Sequence, residues 1–247
     1  MSGHSHYATI KRQKELKDAQ KGKIFSKLAK EIAVAVKSGG PNPETNFKLR
    51  VAMDKAKTAN MPKENIERAI SSGSVSVQTL EEIIYEGFGP SGIAVMVVVL
   101  TDNRNRTSQE IKNLFERGGG RLGGPGSVSF NFENKGFMLI EKDADPENQI
   151  LKLIDLGVED VEETDDGIEV YVAPESLGEK KKKVEEAGFN IKTTELYMKP
   201  KVLQTIADLA EAKRAIAFLD SLEEHDDVQK VYANLDVPSE VLNKISS

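Results

Sequence analysis

Residues 85–107 read YEGFGPSGIAVMVVVLTDNRNRT, and this stretch sets how the rest of the chain is arranged. Gly87, Gly89, Pro90 and Gly92 fall within six positions, a cluster that punctuates a turn. Eight apolar residues follow, Ile93 to Leu100, bounded by glycine on one side and Asp102-Asn103 on the other. A run of that length is far short of the roughly 20 residues that cross a bilayer. Its valines predict a strand buried on both faces. Thr101 to Thr107 then holds helix-capping residue types and two arginines, and Ile111, Leu114 and Phe115 recur at helical spacing. A helix is therefore expected from about Arg104 to Arg117, with Arg104 and Arg106 presented at the elbow where strand gives way to helix.

Upstream, the pattern is helical and lysine-rich. From Tyr7 to about Ser38, basic residues interleave with Ile24, Leu28, Ile32 and Val36, which share one side of a helix. Gly22 is a point where that stretch divides, and Gly39-Gly40-Pro41-Asn42-Pro43 ends it. A further helix is expected over Asn46–Ala59. Another starts at Met61-Pro62, with proline at the first helical position and Ser71-Ser72-Gly73 as its stop. Residues 1–75 thus read as a small all-helical domain.

Downstream, a strand near Glu82–Glu86 precedes the buried strand, and a short one is expected at Ser127–Phe132. Between helix and strand lies GGGRLGGPG, residues 118–126. It lacks the Gly-Lys-Ser/Thr ending of a phosphate loop and follows a helix instead of opening one, so a flexible hairpin is the expectation. Arg117 and Arg121 make it a candidate polyanion-facing edge. Residues 134–200 read strand, helix, strand, strand, helix, strand, the βαββαβ order of a ferredoxin-like unit. Residues 201–247 give a strand, an amphipathic helix over Asp208–Leu222 and a strand over Val228–Asn234, too little to bury a core alone. Joined to 76–133 they complete a second sandwich. The fold class expected is α+β: a small helical domain at 1–75, a discontinuous α+β domain at 76–133 plus 201–247, and an inserted domain at 134–200.

The chain of 247 residues has a net charge of -6, but the charge is unevenly placed. Residues 1–75 hold 15 Lys+Arg against 7 Asp+Glu, whereas the remainder holds 19 against 33. A basic block on an acidic frame points to a localised polyanion-binding surface. Lysine and arginine on helices supply phosphate contacts that carry little sequence information. The candidate nucleic-acid-binding residues are Lys11, Arg12, Lys14, Lys21, Lys23, Lys27, Lys30, Arg50, Lys55, Arg104 and Arg106. The blander reading of the same lysines is a solvated exterior for a small bundle.

There is no cysteine, which excludes disulfides and thiol chemistry and suits a reducing compartment. The first six residues lack the apolar core of a secretion signal. A cytoplasmic protein with no membrane partner is expected. His4, His6 and His225 are the only histidines, and no ligand set completes around His4-Ser5-His6. No nucleophile–base arrangement, Walker lysine or dinucleotide fingerprint appears, so neither a catalytic site, a cofactor, a metal nor a small-molecule substrate is expected.

Several blocks carry a resemblance. Gly3-His4-Ser5, Ile10-Lys11, Lys21 to Leu28 (KGKIFSKL), Asn60 to Ile70 (NMPKENIERAI), Tyr85 to Gly92, Leu100 to Thr107, Gly123 to Phe132, and Asp226 to Asn234 (DDVQKVYAN) together resemble the YebC/PmpR family. They run in order from one end to the other. Two departures stand at the start: His6-Tyr7 where the family usually has Lys-Trp, and an Arg12–Ala19 stretch less basic than is typical. The resemblance implies three domains, one inserted in another. It implies a nucleic-acid-binding regulator of gene expression, of the DNA-binding transcriptional kind. The alternative that it implies is a ribosome-associated translation factor that binds ribosomal RNA and helps synthesis through proline-rich stretches.

Overall fold

The computed structural model describes residues 18–75, 80–164 and 166–246. Three helices come first: α1 Asp18–Gly39, α2 Phe47–Thr58 and α3 Lys63–Val75. Leu28, Ile32, Ala35 and Val36 of α1 bury against Leu49, Ala52 and Ala56 of α2 and Ile66 and Ala69 of α3. The Asn46 side chain starts α2 by accepting from the Leu49 amide at 3.1 Å, and its own amide group donates to the Ala35 and Gly40 carbonyls. Two glycines differ from their sequence reading. Gly22 lies inside α1 instead of dividing it. Gly73 lies inside α3, where a Cβ would stand 2.8 Å from the Ala33 carbonyl. Close approach to α1, and not helix termination, is what Gly73 provides.

The mixed α+β chain then continues as β1 Glu81–Phe88, β2 Ala94–Thr101, α4 Arg104–Arg117 and β3 Arg121–Leu122. Next come β4 Phe132–Ile140, α5 Pro146–Asp155, β5 Asp160–Thr164, β6 Gly167–Val172, α6 Leu177–Glu186 and β7 Ile191–Pro200. The last elements are β8 Gln204–Thr205, α7 Leu209–Glu223, β9 Val228–Ala233, β10 Leu235–Asp236 and α8 Ser239–Ser246. Two four-stranded antiparallel sheets form, in the orders β3-β1-β2-β9 and β5-β6-β4-β7. The second is the strand order of a ferredoxin-like unit. β8 and β10 make a small parallel pair.

The apolar run of the opening stretch sits at the centre of the first sheet. Val95, Val97 and Val99 face Ile111 and Phe115 of α4 and Phe218, Leu219 and Leu222 of α7, all buried. Ala94 and Met96 face the other way, toward Phe132, Tyr232, Tyr197 and Met198. Both faces of β2 are thus covered, as an unbroken valine run demands. Met138, Ile140, Val170 and Val172 of the second sheet pack on Leu153, Leu177 and Val184. On its other face Phe137, Tyr171 and Tyr197 cluster, and Tyr197 meets Tyr232 of β9 edge to face with ring centres 5.5 Å apart. Lys230 of β9 reinforces that junction by donating to Glu195 at 2.8 Å and to the Leu196 carbonyl at 3.0 Å.

Three details depart from the sequence reading. The strand expected at Ser127–Phe132 is instead a turn over Ser129–Asn131, followed by one strand from Phe132 to Ile140. Gly136 sits mid-strand because a Cβ there would stand 2.8 Å from Leu177 Cβ. The strand expected over Val202–Ile206 shrinks to two residues. β10 and α8 carry no expectation at all, although Leu235, Val237 and Leu242 complete the first core.

Candidate nucleic-acid interface

Lys23, Lys27 and Lys30 stand at i, i+4 and i+7 on α1 and so share one side of the helix. That side does not lie open. Lys23 Nζ donates to the Glu224 carbonyl at 3.4 Å and lies 3.6 Å from the Asp226 carboxylate. Lys27 donates to the Glu223 carbonyl at 2.6 Å. Lys30 donates to Asp227 Oδ1 at 3.0 Å and to the Asp226 carbonyl at 3.3 Å. Glu223 ends α7, and the last carbonyls of a helix lack intrahelical donors. Cations are favoured at that negative end of the helix dipole. Two of the lysines therefore cap α7 across almost the full length of the sequence.

The two arginines of the elbow part company. Asn103 accepts from the Arg106 amide at 3.1 Å and starts α4, which places both at its first turn. Arg104 is exposed, with no ion pair among the described residues. Arg106 reaches Asp227 Oδ2 at 2.7 Å, Asp102 at 3.2 Å and Glu110 at 3.8 Å. Asp227 is the hub. Its side chain is 8% exposed, and Thr107 also donates to Oδ2 at 2.8 Å. Burial pushes its carboxyl up, but Arg106, Thr107 and Lys30 together outweigh that and hold it down at about 2. The neighbouring His225 accepts at Nδ1 from the Asp227 amide at 3.1 Å, so Nε2 carries the hydrogen and donates to Glu110 at 2.9 Å.

Glu110, His225 and Asp227 bring possible metal-ligand atoms within 4.8 Å of one another. Lys30 and Arg106 already occupy the two oxygens of Asp227, and both nitrogens of His225 are bonded, so the cluster is built as an ion-pair network. A cleft of about 540 Å³ opens beside it, lined by Lys23, Lys30, Arg106 and His225 and by Asp102, Glu110, Glu224, Asp226 and Asp227. Acids outnumber strong cations there, so the closed cleft itself does not attract phosphate.

Of the other expected site residues, Lys55 and Arg50 make their contacts elsewhere. Lys11, Arg12 and Lys14 are outside the described residues, as is the Lys21 side chain. Lys55 pairs with Glu31 at 3.1 Å. Arg50 donates to the Pro43 and Glu44 carbonyls and lies over the Phe47 ring. A continuous free basic face, which the charge balance alone suggested, is thus not the arrangement of the described lysines.

The glycine-rich loop 118–126 is held in place and not left as a free hairpin. Glu86 of β1 accepts from the Gly126, Val128 and Ser129 amides at 2.8, 2.9 and 2.8 Å. Burial opposes its ionisation, yet the three amides prevail and hold the carboxyl below its ordinary value. Of the loop's own amides, that of Gly126 is spent on this carboxylate, and those of Gly118, Gly119, Gly120 and Gly123 donate to backbone carbonyls. Glu86 escaped sequence reasoning. A lone acid between Tyr85 and Gly87 carries no local signal of an anchor about 40 residues away.

A family model described as "TACO1/YebC protein N-terminal domain" matches residues 5–76, and one described as "TACO1/YebC second and third domain" matches residues 80–235. Relatives from Dictyoglomus turgidum and Aquifex aeolicus are each 47% identical. The alignment covers 100% of both chains for the first, and 99% of this chain and 100% of the relative for the second. Both relatives bear the name "Probable transcriptional regulatory protein". The crystal structure of a conserved hypothetical protein from Aquifex aeolicus superposes with a TM-score of 0.82 at 46% identity, over 90% of this chain and 92% of that one. The chain belongs to the TACO1/YebC family.

Proposed function

We propose that this family member is a nucleic-acid-binding regulator of transcription, and that it grips the phosphates of DNA with the basic side of α1. One observation carries the reading. Lys23 and Lys27 form a ridge whose partners include two backbone carbonyls and one exposed aspartate. With side chains 59% and 79% exposed and 3.6 Å apart, the Lys23–Asp226 pair contributes little. A phosphate is a stronger acceptor for an ammonium than a carbonyl is. The ridge is therefore exchangeable: the 223–227 loop stands where a phosphate backbone would lie, and DNA competes with it. Lys30 and Arg106, tied to buried Asp227, set the position of the ridge, and exposed Arg104 is a further candidate contact. Lys11, Arg12, Lys14 and Lys21 belong to the same basic segment. The three-part division at residues 75/76, 133/134 and 200/201 is the domain organisation that this mechanism takes. No helix among the described residues is long and apolar enough to cross a membrane. No catalytic role is proposed.

Competition makes a prediction of unusual sign. Asp226→Asn removes an acid that opposes DNA, and should tighten binding to a promoter fragment about 2- to 5-fold in a mobility-shift assay at low salt. Lys23→Gln should weaken it by a similar factor. Asp226→Asn without effect, beside an unaffected Lys23→Gln, refutes the ridge as the contact.

A further inference from the structure

We infer that the end of the glycine-rich loop is a second contact surface, built to stack one unpaired nucleobase on Phe130. The inference rests on the nucleic-acid reading above but uses none of the α1 lysines. Phe130 is 71% exposed and Val202 is 65% exposed, the two most exposed large apolar side chains among the described residues. They belong to segments about 70 residues apart in sequence and are bolted together. The Asn131 side chain accepts from the Val202 amide at 3.2 Å and donates to the Val202 carbonyl at 3.1 Å. Lys201 donates its backbone amide to the Asn131 carbonyl at 2.8 Å and its Nζ to the Phe130 carbonyl at 3.1 Å.

The exposure of this ring is imposed by its neighbours. Val128 on one side and Phe132 on the other are buried at 0% and 5% exposure, and the turn over Ser129–Asn131 between them throws Phe130 outward. Glu86 fixes the backbone just before it through the Val128 and Ser129 amides. A ring projected from a fixed backbone loses little freedom when it is covered.

Size and charge select the occupant. A stable protein interface buries roughly 800 Å² on each partner, and two side chains supply only a fraction of that. One phenyl ring matches one base, and stacking on aromatic side chains is how unpaired nucleic acid is held. Lys201 and Arg121 have no carboxylate partner among the described residues, and Arg121 lies over the Phe88 ring at 5.2 Å. Glu133, which feels the Lys201 charge, is already bonded to Lys135. Nothing stands within 4 Å of a Cβ built at Gly124 or Gly126, so a sugar–phosphate chain has room along the loop.

The chain contains no tryptophan, so Phe130→Trp creates a sole reporter at the proposed contact. Its emission is titrated with a single-stranded oligonucleotide, the matching duplex, and heparin as a polyanion without bases. The single strand should quench the tryptophan and heparin should not. Phe130→Ala should weaken single-strand binding about 10-fold or more and leave heparin binding unchanged, with the melting temperature unaltered because the ring is exposed. Salt-dependent oligonucleotide binding with no quenching and no loss in Phe130→Ala overturns this surface and leaves the α1 reading standing. Binding of a protein that depends on Phe130, without quenching by the oligonucleotide, assigns the face to a protein and overturns it too. Absence of any nucleic-acid binding by the wild type removes both readings.

Discussion

Asp227→Asn is the perturbation through which the clasp between α1 and the first sheet is measured. The Asp227 carboxylate accepts from Lys30, Arg106 and Thr107 at 2.7–3.0 Å and is nearly enclosed, at 8% exposure. Holding its pKa at about 2 against an ordinary 3.8 is worth ~2 kcal/mol of folded-state stability, at 1.36 kcal/mol for each tenfold change in protonation equilibrium. Because the folded value is the lower one, this contribution is complete above about pH 4 and disappears as the pH falls through about 2. Asparagine keeps an acceptor for Thr107 but offers Lys30 and Arg106 no charge. At neutral pH the variant should therefore melt about 4–8 °C lower by circular dichroism, taking 2–4 °C per kcal/mol for a chain of this size. The gap between wild type and variant should close as the pH is lowered toward 2. Amide exchange should accelerate in α1 and across residues 223–228. A variant that melts within a degree of the wild type, with a gap that does not narrow in acid, refutes the reasoning.

Other parts of the structure give separate tests. Glu86→Gln takes the charge from three amides at and just after the end of the glycine-rich loop, and should speed hydrogen exchange at Gly126, Val128 and Ser129 more than 10-fold, a loss of about 1–3 kcal/mol. Unchanged exchange there means that Glu86 is not the anchor. Gly73→Ala drives a Cβ to 2.8 Å from the Ala33 carbonyl and should destabilise the helical unit by about 1–3 kcal/mol. Gly22→Ala, in open space within α1, should stabilise it by about 0.5–1 kcal/mol. Equal effects of the two in denaturant melts contradict the packing described. Lys230→Ala takes from Glu195 the ammonium that stands 2.8 Å away at the junction of the two sheets, and should cost about 2 kcal/mol after allowance for partial exposure. Lys230→Met combined with Glu195→Leu should recover much of that loss, and failure to recover any assigns the pair no coupling.

What the sequence disclosed follows from the range over which each signal acts. The eight-residue apolar run announced a strand covered on both faces because burial leaves no polar alternation to see. The start of α4 at Arg104 was legible because Asn103 signals its cap within three residues. The βαββαβ order of the second sheet was legible for the same reason, each element carrying its own period. Gly73 misled because a glycine at a tight helix crossing is spelled like one at a helix end. α8 is amphipathic but short, and it closes a core whose walls include Ile93 to Phe115, more than 100 residues earlier. The charge balance of residues 1–75 was correct as a sum and silent on pairing. Lys23, Lys27 and Lys30 meet acids and carbonyls 196–201 positions away, a distance at which no spacing rule operates.

The salt dependence of DNA binding by Lys23→Gln/Lys27→Gln against the wild type tests the central claim most directly, because the slope of log affinity against log salt counts phosphate contacts. Each contact contributes about 0.9 to that slope, so exchange of the α7 end for DNA predicts a slope shallower by about 2 in the double variant. An identical slope, with affinity unchanged, contradicts the account and leaves these lysines as caps of α7 alone.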